Sequence, residues 1–192
     1  HNQIFKTTNG EKQKQLEKVI NDYIPNQFRQ NPASFYSLKN DLSNSGIVFC
    51  PHVNGDFGVQ KVCNQLATFA PSDYYSGGAP KAYRGNWDIE KRRVASAFKS
   101  NKINLLVATK AFGMGIDKPN VRFTVHHGIP SSIESFYQEA GRAGRDGSES
   151  WCVILFSDDN SAINQRLLDP ATPLEDVAEK VDTQNLEATS KN

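Results

Sequence analysis

The sequence has little cysteine and no long apolar run, and each shortage excludes a class of protein. Its cysteines are odd in number and scattered, without a C-x-x-C pair that would indicate a zinc site or a redox motif: Cys50, Cys63 and Cys152. We predict that all three are buried as small hydrophobic residues. No stretch approaches the roughly 18 apolar residues of a membrane span, and the opening "HNQIFKTTNG" lacks an apolar signal core. We therefore expect a soluble, intracellular protein with no membrane partner and no metal site.

An excess of charge of one sign is also missing, because 22 lysines and arginines balance 21 acids. The net charge of +1 gives no general sign of a nucleic-acid partner, so the distribution is more informative. Residues 81 to 102 carry seven basic residues against Asp88 and Glu90. Contact with a polyanion and a solvated helix face explain this excess equally well. Residues 169 to 192 are acidic and poor in apolar side chains, which predicts a flexible tail.

Short apolar runs alternate with helical patterns along the 192 residues, a length that suits one domain. Continuous apolar runs predict strands buried on both faces at residues 46–50, 103–109, 121–127 and 151–156. Apolar spacing at i, i+3, i+4 and i+7 and a capping pattern at Asn86 predict helices at residues 15–23, 58–69 and 86–99. This alternation predicts an α/β fold, a three-layer α/β/α sandwich around a mainly parallel sheet.

Ligands of such folds bind beyond the carboxyl ends of the strands, so the residues after each predicted strand are the candidate site. After residues 103–109 the chain reads "KAFGMGIDKPN", in which Gly113 and Gly115 let the backbone approach a ligand closely. Asp117 follows as a carboxylate suited to accept hydrogen bonds from ribose hydroxyls. A tight turn with a capping aspartate is the alternative interpretation.

The segment after residues 121–127 begins with a predicted helix. Ser131 and Glu134 are spaced as a capping box that starts this helix. Its buried stripe is predicted to consist of Ile133, Phe136, Tyr137 and Ala140.

Two arginines follow in the stretch "EAGRAGRDG", each directly behind a glycine. Gln138, Arg142 and Arg145 are spaced at i, i+4 and i+7, so a continued helix would place them together on a second face. One edge of the domain would then present an amide and two guanidiniums. Surface arginines on a fraying helix are the alternative interpretation.

Residues 105 to 147 resemble the fifth and sixth motifs of superfamily 2 helicases, and most closely those of the RecQ family of ATP-dependent DNA helicases. The wording "AFGMGIDKPNVRF" is more similar to RecQ proteins than to DEAD-box proteins, and "GIVFC" matches the fourth motif. The resemblance covers residues 46 to 156. The chain departs from the family at residues 26–45, which are longer than the usual link, and at Ser76, where the family often has histidine.

The resemblance also shows what the chain lacks. It contains neither a G-x-x-x-x-G-K-[ST] phosphate loop nor a D-E-x-H motif for magnesium. The family carries these motifs on a first RecA-like domain, so the chain is expected to be the second RecA-like domain of a longer protein. Residues 1–168 are predicted to form this domain, with an unusual insertion at 26–45 and a flexible acidic tail at 169–192. The zinc-binding region of the family is absent, so no zinc is expected.

The resemblance implies a role for each candidate residue. ATP and Mg²⁺ would be held mainly by the first domain, while Arg142 and Arg145 reach the γ-phosphate and Gln138 lies beside them. Gly115 and Asp117 would contact the nucleotide or couple it to DNA. The DNA contacts implied by the resemblance are Thr109, Lys110 and His52. The resemblance therefore implies a helicase domain that is inactive alone and works with DNA and the first domain, in the bacterial cytoplasm or the eukaryotic nucleus.

Two other functions stay open at this point. An RNA helicase would use the same fold and the same arginines, although the wording of the fifth motif favours DNA. A non-catalytic RecA-like module that binds nucleic acid or regulates a partner is the alternative from a different class. The presence of Gln138, Arg142 and Arg145 favours a motor over such a module.

Overall fold

A parallel sheet of six strands forms the centre of the computed structural model, which describes residues 1–39, 43–113, 117–130 and 132–157. The strands are β1 (Asn2–Thr7), β2 (Ser45–Phe49), β3 (Ser72–Tyr75), β4 (Leu105–Ala108), β5 (Val121–His126) and β6 (Trp151–Ser157). Their order across the sheet is β1-β6-β5-β2-β4-β3, with every neighbouring pair parallel. Strand β2 therefore lies between β4 and β5, where the chain changes direction across the sheet.

Helices connect these strands. They are α1 (Asn9–Lys18), α2 (Ile24–Gln27), α3 (Pro32–Phe35), α4 (Val59–Leu66), α5 (Trp87–Lys99) and α6 (Ile133–Ala140). A π-helical turn (Val19–Tyr23) joins α1 to α2, so the predicted helix at 15–23 is helical but not α-helical throughout. A 3₁₀ turn (Lys110–Gly113) follows β4.

The two faces of the sheet carry separate hydrophobic cores. On one face Leu16 of α1 and Leu66 of α4 pack with Val125 of β5 and other strand residues. On the opposite face Phe98 of α5 and Phe112 of the 3₁₀ turn pack against β2 and β4. Helices thus cover both sides of one parallel sheet, which confirms the predicted three-layer α/β/α sandwich.

The predicted strands and helices differ in how well they match the structure. The four predicted strands correspond to β2, β4, β5 and β6, which are strongly apolar and mostly buried. Strands β1 and β3 were not predicted, because they lie at the two edges of the sheet and contain no buried residue. The predicted cap of α5 is confirmed, since Asn86 Oδ1 accepts hydrogen bonds from the backbone N–H groups of Asp88 and Ile89 at 3.0 and 3.2 Å.

The three cysteines are buried and unpaired, as predicted. Burial raises the pKa of Cys63 to about 11, so its thiol stays protonated at neutral pH. The predicted domain boundary at residue 168 and the predicted tail at 169–192 lie outside the described residues. Within the described ranges, no helix combines the length and the apolar character needed to cross a membrane.

Candidate functional site

The candidate residues form two groups, and the groups lie at opposite ends of the strands. The residues assigned to DNA follow the ends of β2 and β4, at the carboxyl edge of the sheet. The two arginines lie beside the start of β5, at the amino edge, where the backbone N–H of Gly144 donates to the carbonyl of Val121 at 2.9 Å. Helix α6 connects the two edges of the sheet. It follows the last residue of β5, and it leads back toward the first residue of β5.

Two of the three residues in the carboxyl-edge group are exposed to solvent, and the third is buried. Lys110 is exposed in the 3₁₀ turn, and His52 is exposed in the loop after β2. Thr109 is 8% exposed, and its backbone N–H donates to the carbonyl of Tyr75 at 3.1 Å. All three therefore lie in loops that leave neighbouring strands at the same edge, a place where such sheets bind ligands.

Helix α6 begins one residue later than the capping box predicted. Its N-cap is Ser132, whose Oγ accepts a hydrogen bond from the backbone N–H of Ser135 at 3.0 Å. Ser131 lies outside the described residues. The carboxylate of Glu134 instead accepts a hydrogen bond from Nε2 of Gln138, one turn later, at 3.1 Å.

The predicted buried stripe of α6 is wrong. Ile133 is 51% exposed and Tyr137 is 69% exposed, while Phe136 and Ala140 are only half-buried. The periodicity correctly indicates a helix, but it does not show how deeply that helix is covered. Helix α6 contacts the sheet through Phe136, whose ring lies 5.2 Å from that of His126 on β5.

The predicted common face of Gln138, Arg142 and Arg145 does not form, because α6 ends at Ala140. The chain then passes through turns, and Gly144 adopts φ +71°, where a Cβ would lie 2.6 Å from Ser150 Oγ. Gln138 is exposed on the helix and Arg142 is buried beyond its end, so the three side chains do not form one helical face. We call residues 141–147, "GRAGRDG", the arginine loop.

The two arginines differ sharply in environment. Arg142 is 7% exposed and lines a small cavity with Lys118, Phe112 and Val121. Burial lowers the pKa of Arg142 and the nearby charge of Arg145 lowers it further, while Glu139 acts in the opposite direction. Two guanidiniums close enough to affect each other are an arrangement that an anionic ligand would stabilise.

Arg145 is partly exposed and reaches the loop before β5. Its Nη1 lies 3.1 Å from Asp117 Oδ1, and the Asp117 side chain is 82% exposed. An ion pair this exposed contributes little to stability, so Arg145 can exchange Asp117 for another anion at small cost. Gly115, the other residue assigned to the nucleotide, lies outside the described residues.

Two contacts of this region were not predicted from the sequence. Arg122 on β5 forms two hydrogen bonds with Asp146 of the arginine loop, at 2.9 and 2.7 Å. His126 at the end of β5 lies 3.0 Å from Glu139 of α6. The available signal was the presence of Arg122 and His126 inside an otherwise apolar strand, where polar side chains need partners.

A metal site of protein side chains is not found in the part of the chain that the structure describes, which holds no group of three or more potential His, Cys, Asp or Glu ligands.

The six-stranded parallel sheet and its helices have the fold of a RecA-like domain. A solved structure of Mss116p DEAD-box helicase domain 2 bound to an RNA duplex matches with a TM-score of 0.64 and 20% identity, over 90% of this chain and 60% of that one. The Escherichia coli DEAD-box protein SrmB bound to RraA matches with a TM-score of 0.58 and 19% identity, over 83% of this chain and 80% of that one. At these identities the likeness shows the fold alone.

The sequence comparisons define the family more closely. The helicase conserved C-terminal domain matches residues 33–147, more than half of the chain, and the chain belongs to this family. It is 36% identical over 133 residues to the ATP-dependent DNA helicase hus2/rqh1 of Schizosaccharomyces pombe, covering 66% of this chain and 9% of that protein. It is 45% identical over 91 residues to the ATP-dependent DNA helicase RecQ of Bacillus subtilis, covering 47% of this chain and 15% of that protein. The resemblance of residues 105 to 147 to the RecQ family is thereby confirmed.

Proposed function

We propose that this chain is the C-terminal motor domain of a RecQ-like, ATP-dependent DNA helicase, in which it closes over ATP held by a first RecA-like domain. The chain spans only 9% and 15% of the two relatives described above, so the activity belongs to a longer protein. The observation that carries the proposal is the arginine loop, which places one buried and one exposed guanidinium side by side.

The residues at the amino edge fit a triphosphate. Bound ATP with Mg²⁺ supplies the phosphoryl group, and charge develops on its oxygens during hydrolysis. Arg145 approaches the γ-phosphate by leaving Asp117, whose contact with it is exposed and weak. Arg142 is held more firmly by burial and adds a second positive charge. Gln138 is exposed on the last turns of α6, where it faces any domain that closes on this surface.

The residues at the carboxyl edge fit a nucleic-acid backbone. Thr109, Lys110 and His52 offer a hydroxyl, an ammonium and an imidazole, which suit phosphate oxygens without reading bases. Such contacts carry little sequence information, as a protein that moves along a strand requires. The names of the relatives favour DNA over RNA. Both single-stranded and duplex DNA are proposed as partners, in the cytoplasm of a bacterium or the nucleus of a eukaryote.

The residues assigned to DNA and the two arginines lie at opposite edges of the sheet. In this proposal the segment after β4 couples them. It begins at Thr109 and Lys110, at the carboxyl edge, and reaches Asp117, which contacts Arg145 at the amino edge. Phe112, which is 2% exposed, anchors it between these points. A strand bound at one edge would then influence the arginine at the other.

The test uses the longer protein that contains this domain. We expect Arg145→Ala to lower DNA-stimulated ATP turnover by about 10³-fold, while nucleotide affinity changes only several-fold. Arg145→Lys should restore little, because an ammonium keeps the charge but loses the planar fork. Lys14→Ala, at an exposed basic residue on α1 outside the basic stretch of residues 81–102, is the control and should leave turnover unchanged.

Three outcomes would contradict the proposal. Normal turnover in Arg145→Ala would show that the arginine loop does not act on the nucleotide. Stimulation by RNA but not by DNA would assign the domain to an RNA helicase instead. Stimulation by both would require a comparison of unwinding on matched DNA and RNA duplexes, and faster unwinding of RNA would count against the proposal.

A further inference from the structure

Strand β5 contacts the arginine-bearing region at two points that the proposed function does not use. Arg122 and His126 are four residues apart on this strand, so their side chains leave the same face of the sheet. Arg122 contacts Asp146, and His126 contacts Glu139. These two contacts flank both arginines of the loop.

The contact between Arg122 and Asp146 is bidentate. Arg122 Nη1 and Nη2 lie 2.9 and 2.7 Å from the two carboxylate oxygens, and the side chains are 17% and 28% exposed. The backbone N–H of Ser148 also donates to Asp146 Oδ1 at 3.0 Å. The hydrogen bonds from Arg122, with those from Ser148, hold the pKa of Asp146 well below its usual range. Paired hydrogen bonds between charged groups fix direction as well as distance.

The contact at Glu139 is more deeply buried. His126 Nδ1 lies 3.0 Å from Glu139 Oε2, with the side chains 1% and 12% exposed. The attraction is electrostatic rather than a linear hydrogen bond. Burial lowers the pKa of His126, but contacts with Cys152 of β6 and Glu139 together outweigh it, so the net pKa is raised. The imidazole ring also stacks on Phe49 of β2, with centroids 5.5 Å apart.

Apolar packing does not hold this region in place by itself. Helix α6 contains no buried residue, and two of its large apolar side chains, Ile133 and Tyr137, are more than half exposed. Beyond the helix the chain turns twice through glycine before Asp146. The polar contacts with β5 therefore act together with the packing of Phe136 and Ala143 in setting the position of α6 and the loop along the sheet.

We propose that Arg122 and His126 are positioning residues that clamp Asp146 and Glu139, and so fix both arginines relative to β5. The clamp is a property of the folded chain. Only its consequence for turnover rests on the proposed function. Substitution of a clamp residue would lower turnover and leave nucleotide affinity nearly intact, because the arginines would remain present but misplaced.

The first test uses hydrogen–deuterium exchange on this chain. In Asp146→Asn and in Glu139→Gln we expect the amides of residues 141–148 to exchange about tenfold faster or more, with those of β2 and β4 unchanged. Arg122→Lys keeps the charge but loses one hydrogen bond, so it should give an intermediate rate. Asp56→Asn, which breaks an exposed ion pair with Lys61 far from the loop, is the control. Unchanged exchange in the loop, or an equal increase throughout the sheet, would overturn the proposal.

The second test measures turnover of the longer protein carrying the same variants. A clamp predicts a roughly tenfold lower kcat with KM changed less than threefold, and partial recovery in Arg122→Lys. Faster hydrogen–deuterium exchange together with normal turnover would support the clamp but contradict the role of the arginines in catalysis. Normal exchange together with lower turnover would overturn the clamp and leave the proposed function standing.

Discussion

Two adjacent histidines at the end of β5 have pKa values shifted in opposite directions. Successive side chains of a strand point to opposite faces, so His126 and His127 lie in different surroundings. Burial lowers the pKa of His127 to about 3, and the charge of Lys12 adds to this effect. His126 lies near Glu139 and Cys152, which raise its pKa despite burial. The pKa of the same residue type is therefore lowered on one face and raised on the other.

This difference predicts how stability depends on pH. His127 is neutral in the folded protein but becomes protonated in the unfolded chain below about pH 6.5. Its stabilising contribution is complete above that pH and is lost as the pH falls toward 3. His126, with a raised pKa, contributes fully below about pH 6.5 and loses its contribution as the pH rises through its folded value. From pH 6.5 to pH 5, the free energy of unfolding should fall by about 1–2 kcal/mol because of His127.

Urea unfolding of the chain at several pH values measures this dependence. His127→Phe should remove most of the fall between pH 6.5 and pH 5, because phenylalanine has no proton to bind. His126 remains in that variant and serves as an internal reference. If His127→Phe loses stability with pH as the parent does, another group is responsible.

At the scale of elements, residues 28–36, which precede β2, belong to the core. Phe35 of α3 is fully buried, with its ring 5.2 Å from Phe28 and 6.1 Å from Phe123 of β5. Tyr36 Oη donates to the carbonyl of Ile20 at 2.7 Å, and Asn104 Nδ2 donates to the carbonyl of Tyr36 at 2.6 Å. The segment thus joins the helical layer to the sheet.

We expect Phe35→Ala to lower the free energy of unfolding by about 3–5 kcal/mol, because it leaves a cavity between α3 and the sheet. Leu38→Ala, three residues later at a side chain that is 46% exposed, is the control and should cost less than about 1 kcal/mol. Chemical denaturation of both variants gives the comparison. Equal small losses would show that the segment is a surface addition.

Elements also differ in how well the sequence predicts them. Residues 46–50 and 103–109 are continuous apolar runs, and such runs are sufficient to predict strands in the middle of a parallel sheet. Strands β1 and β3 lie at the edges of the sheet and contain only exposed or half-buried residues, so they carry no comparable signal. The end of α6 was missed for a different reason. The spacing of Gln138, Arg142 and Arg145 suits a helix, but Gly141 and Gly144 let the chain turn instead.

At the scale of the whole molecule, this chain carries the arginines but no phosphate loop and no D-E-x-H motif. We therefore expect the purified chain to show no significant ATP turnover, with or without DNA, because its sequence has neither of the two motifs that hold the phosphates and magnesium in such enzymes. Steady-state phosphate release with single-stranded DNA measures this. Adding the first RecA-like domain as a separate protein should raise turnover. Hydrolysis at ordinary helicase rates by the chain alone, with contaminants excluded by mass spectrometry, would mean that it is not half of a motor.

The sequence by itself determined the class of fold, the buried strands, the capped helix α5 and the relation to RecQ helicases. These features depend on local patterns and on motif wording, which survive without any knowledge of distant contacts. Only the tertiary structure decided that Arg142 is buried while Arg145 is exposed, and that both lie at the amino edge rather than beside Thr109 and Lys110. The reason is that α6 returns over the sheet and ends early, so the loop meets Arg122 some twenty residues before it in the chain. Contacts between residues so far apart depend on topology, which a local pattern does not contain.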